Sequence, residues 1–116
     1  MIMLIDTREA GPFTVRTYAL PEDISPRGSF DDCLIDEVMA GIESGRLEWF
    51  CAKVTAEGEG LELAADYLGG CCYGTFEEFA NGQDYHGDMI RQAVAEAGAR
   101  LRELSDKALE CLEVEA

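Results

Sequence analysis

His86 is the only histidine in the 116-residue chain, and it stands between two acids in Asp84-x-His86-x-Asp88. An imidazole, a carboxylate and a thiol such as Cys72 are the parts of a Ser-His-Asp or Cys-His-Asp nucleophilic site. The context for that chemistry is missing. The chain has no Gly-x-Ser-x-Gly elbow, and Cys71-Cys72 sits in no protease-like setting. His86 is therefore expected to be a half-buried structural residue at the start of a helix. The same three residues are a possible metal set, but side chains at i and i+2 of a helix point apart. Zinc would want a further Cys or His at finger-like spacing, and the Asp-rich spacing of a calcium loop is also missing. Gly69-Gly70 has no following lysine to make a phosphate loop. The expectation is a non-enzymatic protein with no metal and no cofactor.

The five cysteines, Cys33, Cys51, Cys71, Cys72 and Cys111, are odd in number and lack the spacing of a disulfide framework. Adjacent Cys71 and Cys72 are poorly placed to bridge each other. Reduced thiols and a cytoplasmic location follow as expectations. The apolar run Met1–Ile5 ends at Asp6, too short for a signal peptide or a membrane span.

Charge is the dominant compositional feature. The chain holds 24 acids and 9 bases, a formal net charge of −15. Up to residue 58 there are 11 acids against 5 bases, and beyond it 13 against 4. No base occurs between Lys53 and Arg91, a stretch with eight acids: Glu57, Glu59, Glu62, Asp66, Glu77, Glu78, Asp84 and Asp88. Hydrophobic content of 47% separates this chain from disordered acidic tails. Such a protein is repelled by nucleic acid and anionic membranes and attracted to basic surfaces. The charge could also serve solubility alone.

The elements that must hold these residues can be read from periodicity. Ile2–Thr7 is rich in strand formers, and Phe13–Leu20 alternates, with Ala10-Gly11-Pro12 as the turn of a hairpin. Pro21–Gly28 reads as a loop. Ser29 is expected to cap a helix over 30–44, with Leu34, Ile35, Val38, Met39 and Ile42 as its apolar stripe. Leu47–Thr55 and Leu61–Cys72 read as strands joined by Glu57-Gly58-Glu59-Gly60. In the second, Leu61, Leu63, Ala65 and Tyr67 alternate with Glu62, Ala64 and Asp66, which predicts both carboxylates on one solvent face. Gly69-Gly70 marks a bulge or the strand end. Thr75 caps a short helix ending near Gly82. Asp84 caps a long final helix, which Ser105 could instead restart as a second one.

The apolar positions of that final helix, Ile90, Val94, Ala97, Leu101, Leu104, Ala108 and Cys111, follow steps of 4 and 3. The seam can cover the sheet or form a homodimer contact. The order β-β-α-β-β-α-α predicts a single α+β domain: a four-stranded antiparallel sheet with helices packed on it.

Three groups of acids are candidate partner-binding residues: Asp32, Asp36, Glu37 and Glu43 on the first helix; Glu57, Glu59, Glu62 and Asp66 on the second hairpin; Glu77, Glu78, Asp84 and Asp88 around the short helix. Tyr73 and Tyr85, which bracket acids, are candidate anchors for a partner's pocket, though both could belong to the core. Duplex DNA carries one charge per roughly 1.7 Å of axis. Carboxylates at i and i+4 of a helix stand about 6 Å apart, so a folded acidic surface can imitate a phosphate backbone.

In its length, net charge, lack of a disulfide framework, α+β pattern and lack of an enzyme motif, the chain resembles the small acidic inhibitors encoded by phages and mobile elements, the anti-CRISPR and anti-restriction proteins. The resemblance is to a class and transfers no functional residue. It implies a host nuclease, a CRISPR effector or its recruited helicase-nuclease as the partner, blocked by steric or DNA-mimicking occupation. An alternative is an interaction module, an antitoxin or assembly partner, dimerising through the final helix.

Overall fold

The computed structural model describes residues 2–82 and 84–115, with side chains through Cys111. The elements are β1 (Met3–Ala10), β2 (Phe13–Leu20), α1 (Asp32–Glu43), β3 (Glu48–Gly58), β4 (Leu61–Tyr73), α2 (Phe76–Asn81) and α3 (Tyr85–Glu115). The strands form one antiparallel sheet in chain order, β1-β2-β3-β4, so the expected α+β fold is the observed one. Each strand pairs with its sequence neighbour, which keeps every connection in the sheet short or local.

The β3–β4 turn places both Glu59 (φ 54°) and Gly60 (φ 75°) in the left-handed region. That is the backbone of the hairpin turn whose twist suits flanking strands. Two irregularities then set which side chains of β4 face which way. Ala56 pairs with Ala64 but Glu57 pairs with Glu62, so Leu63 is an inserted residue. Phe50 pairs with Cys71 and Ala52 with Leu68, so Gly69 and Gly70 together oppose Cys51. The second is the bulge expected at the glycine pair, with Gly70 at φ 68°.

One face of the sheet is dry. Phe13, Val15, Thr17 and Ala19 of β2 and Phe50, Ala52, Val54 and Ala56 of β3 are buried there. α3 lies across this face. Its contact stripe is Met89, Ala93 and Ala97, flanked by the partly buried Ile90, Val94 and Leu101. The two alanines have no solvent exposure, and their small side chains let the helix backbone sit close to the strands. α2 adds Phe79, whose ring meets those of Phe50 at 5.6 Å and Tyr73 at 5.2 Å in edge-on contacts.

α3 is one continuous helix through Ser105, which restarts nothing. Only its first half covers the sheet. Leu104, Ala108 and Cys111, the later members of the expected seam, are exposed. α1 also departs from expectation. It begins at Asp32 after Asp31, because Ser29 is held in a turn by its N–H donating to Pro26 O. Of its apolar stripe only Ile35 is buried, while Leu34 is 46% exposed. α1 makes little contact with the other elements. It is tethered through its C-terminal end, where the Leu47 N–H donates to Gly41 O at 2.9 Å. Leu47 packs so closely there that a Cβ on Gly41 would lie 2.6 Å from it.

His86 fixes the start of α3 to the sheet. It is 1% exposed, deeper than the half-burial expected. Its Nδ1–H donates to Ala80 O at 2.8 Å, which leaves Nε2 to accept the Thr17 hydroxyl at 2.7 Å. Both partners suit the neutral ring, and burial lowers its pKa. The unfolded state then binds the proton more readily, so stability from this residue is present above about pH 6.5 and is lost as pH falls below it.

Thermal unfolding followed from pH 8 to pH 5.5 is expected to show a larger loss below about pH 6.5 for wild type than for His86→Gln. Equal slopes would remove this role for the ring. Ala93→Leu is expected to cost about 1–3 kcal/mol in denaturant unfolding, whereas Ala95→Leu on the exposed side of α3 stays within about 0.5 kcal/mol.

Candidate interaction surface

The structure separates the acids into compensated and uncompensated groups. On the open face of the sheet, Arg16 is paired with Glu57, and Lys53 Nζ lies 3.9 Å from Glu62 and 5.6 Å from the Tyr67 ring centre. Two of the four hairpin carboxylates therefore already have cations. Asp66 pairs with Val54, a residue of the dry face, so it lies on the α3 side of the edge strand. The single solvent face expected for Glu62 and Asp66 is thus wrong. The inserted Leu63 flips the alternation between them. Glu59 stands alone at the turn, exposed.

The group around α2 is also partly engaged. Glu78 N–H donates to the Thr75 hydroxyl at 3.1 Å, and Glu78 Oε2 accepts the Gly74 N–H at 3.2 Å. Thr75 thus caps the helix and Glu78 holds the backbone just before the cap, which makes Glu78 a structural residue. Asp88 is paired with Arg91 one turn along α3. Glu77 and Asp84 are exposed and have no ion-pair partner among the described residues.

On α1 the outcome is different. Asp32, Asp36, Glu37 and Glu43 are all exposed, and none has an ion-pair partner among the described residues. At 3.6 residues per turn the half-exposed Leu34 lies about 160° round the helix from Asp32 and Asp36, whereas the partly buried Met39 borders the acidic face. α1 therefore combines open charge with apolar area on a helix that the fold barely uses.

A second feature lies where the loop after β2 crosses the β3–β4 end. Glu22 Oε2 accepts the Gly70 N–H at 2.7 Å, and Trp49 Nε1–H donates to Ile24 O at 2.8 Å. The loop delivers Phe30 to a cleft of about 310 Å³ lined by Gly69, Gly70, Cys72, Tyr73 and Tyr85. The two candidate tyrosines are brought together here but play different parts. Tyr73 packs on Phe50 and Phe79, and burial is the first cause of its raised pKa, with Asp84 contributing. Tyr85 is 62% exposed at the cleft rim. Phe30 was not singled out from the sequence; a backbone bridge to Arg27 and a 6.2 Å ring contact with Trp49 hold it in place.

The residues first considered for chemistry are otherwise occupied. Both ring nitrogens of His86 are engaged inside the core. The five thiols are unbridged. Burial pushes the Cys71 thiol up to about 11 and raises that of Cys72, away from the thiolate needed for attack. Among the described residues, no three His, Cys, Asp or Glu side chains converge to hold a metal, and no helix is long and apolar enough to cross a membrane.

Truncation separates an anchor from a core residue at the cleft. Tyr73→Ala is expected to cost about 3 kcal/mol in chemical unfolding, and Tyr85→Ala less than about 0.5 kcal/mol. Equal costs would mean that Tyr85 is not available for a partner.

Compared with known proteins, the chain matches no family model, no curated protein and no solved structure.

Proposed function

We propose that the protein is a non-enzymatic acidic inhibitor that docks on a basic, nucleic-acid-handling surface. The target class is a host-defence nuclease: a CRISPR effector, its helicase-nuclease, or a restriction enzyme. The observation that carries this reading is α1. Its four open carboxylates sit on a helix whose burial the fold does not require. Structural acids in this protein have partners, such as Glu78 on the Gly74 N–H and Glu57 beside Arg16. Those of α1 have none among the described residues, so their net effect on the isolated fold is repulsion, and an external cationic site offsets it.

The mechanism is electrostatic encounter followed by apolar docking. Asp32 and Asp36, one turn apart, present charges about 5–6 Å from each other, a spacing that lysines and arginines arranged for phosphates can accept. Met39, at the edge of that acidic face, then supplies apolar contact, from which durable affinity arises. Glu77 and Asp84, with Tyr85 at the cleft rim, extend the acidic surface at the same end of the sheet as α1. Occupation of the channel or of a recruitment surface blocks access of DNA or of the nuclease.

Binding to candidate effectors and restriction enzymes across a salt series tests this. Replacing Asp32 and Asp36 by Asn together with Glu37 and Glu43 by Gln is expected to slow association about tenfold or more at low salt. Replacing Glu57 and Glu62 by Gln should change it less than about threefold, because their charge is already compensated. Association indifferent to salt, or equal loss from both sets, would refute charge mimicry centred on α1.

A further inference from the structure

The cleft where the loop after β2 meets β4 is walled by aromatic rings. Phe30, Tyr73 and Tyr85 reach it from three separate elements, the loop, the strand and the start of α3, while Gly69 and Gly70 contribute only backbone. Its volume of about 310 Å³ is at the small end of the range for ligand pockets, enough for one long side chain.

Two carboxylates stand beside these rings. Glu22 is fixed against the glycines: its Oε2 accepts the Gly70 N–H at 2.7 Å and its Oε1 the Ile24 N–H at 3.2 Å. A Cβ on Gly69 would lie 2.9 Å from that same Oε2. Asp84 immediately precedes Tyr85 and is exposed. Burial is the first cause of the raised Tyr73 pKa, and Cys71, Tyr85 and Asp84 add to it, so the Asp84 charge is felt inside the cleft. Neither Glu22 nor Asp84 has an ion-pair partner among the described residues. Arg27, the one base of the loop, lines no part of the cleft.

We propose that this cleft receives an arginine side chain of the protein on which the acidic surface docks, its guanidinium stacked on the tyrosine rings and its charge answered by Glu22 and Asp84. The proposal rests on the docking function above and names what the target brings to it. The walls and the charges together select the occupant. An aliphatic side chain would fill the cleft but strip water from both carboxylates without giving them a partner. A lysine ammonium is a compact charge that holds its water strongly. A guanidinium is planar, stacks on aromatic faces and is more weakly hydrated, and its five N–H donors serve carboxylates and backbone carbonyls at once. Such carbonyls are present, because β4 is an edge strand and its outward C=O groups have no strand partner. Tyr73 and Tyr85 then act as walls of a pocket for the partner, the reverse of anchors inserted into the partner's own pocket.

Nuclear magnetic resonance titration of the full chain with N-acetyl-arginine amide tests this. Saturable shifts confined to Phe30, Tyr73, Tyr85 and the Gly69 and Gly70 amides are expected, with a dissociation constant of about 1–10 mM for so small a ligand. N-acetyl-lysine amide should bind about threefold or more weakly, and the uncharged N-acetyl-citrulline amide about tenfold or more weakly. Tyr85→Leu, which keeps an apolar wall but removes the ring face, should weaken the arginine probe about threefold or more. Glu22→Gln and Asp84→Asn should each weaken it about twofold or more. Glu62→Gln, the same change of charge at the far end of the sheet, should leave it unaltered at physiological salt. No saturation, shifts spread along the acidic surface, or equal affinity for the citrulline probe overturns the proposal. Equal weakening by Glu62→Gln does so too, since net charge alone would then attract the probe. Lysine bound as tightly as arginine overturns the choice of guanidinium. The titration contains no nuclease, so the two readings fail separately. A probe that does not bind, while the α1 charge variants slow target association, refutes the cleft alone. A probe that binds, while those variants leave association unchanged, refutes the docking function and not the cleft.

Discussion

The whole arrangement depends on how near α3 can come to the sheet. Ala93 and Ala97 set that distance, and His86 sets the position along the strands by joining Thr17 to Ala80. With the helix seated, Phe79 and Tyr73 close one end of the core and Leu101 the other. A larger side chain on the stripe would lift the helix and open gaps along its length, because a close-packed interior yields little. A sheet of four strands with a single covered face has few other large contacts to fall back on.

That economy of packing explains the surface. α3 satisfies the dry face almost alone, so α1 is left as an appendage held at its C-terminal end by Leu47 against Gly41. The open face of the sheet is tolerable in water because its middle carries Arg16, Lys53, Glu57 and Glu62, a mixed-charge lattice in place of an apolar patch. Opposite charges that are cross-strand neighbours there cancel much of the acid excess, and what remains uncancelled lies mainly on the helices.

Much of the fold was legible because its signals are local. Phe13–Leu20 alternates without interruption and emerged as a strand with the expected bounds. Thr75 with Glu78 announced the short helix, and the glycine pair announced a bulge or the strand end, of which the structure has the bulge. The misreadings come from signals that only pairing creates. Nothing in Leu61–Tyr67 marks Leu63 as the inserted residue, since the insertion is defined by its partners on β3. The facing of Asp66 was therefore read on the wrong side. The α1 stripe looked like a core face, because an apolar period shows that a helix can be buried and says nothing about whether a surface is present to bury it. The seam of α3 could not reveal its own break at Leu101, which is fixed by where the sheet ends. For the candidate site, the acids were evident as composition. Their division into paired and unpaired groups depended on cations distant in sequence, Arg16 for Glu57 above all.

The late position of α3 in the chain has a consequence for synthesis. Strands one to four are contiguous neighbours and can zip together as soon as residue 73 has left the ribosome, but the helix that shields them emerges afterwards. During that interval Phe13, Val15, Phe50 and Val54 face solvent on a nascent four-stranded ribbon. The abundant carboxylates on the same growing chain would then keep neighbouring nascent ribbons apart, a service rendered before any partner is met.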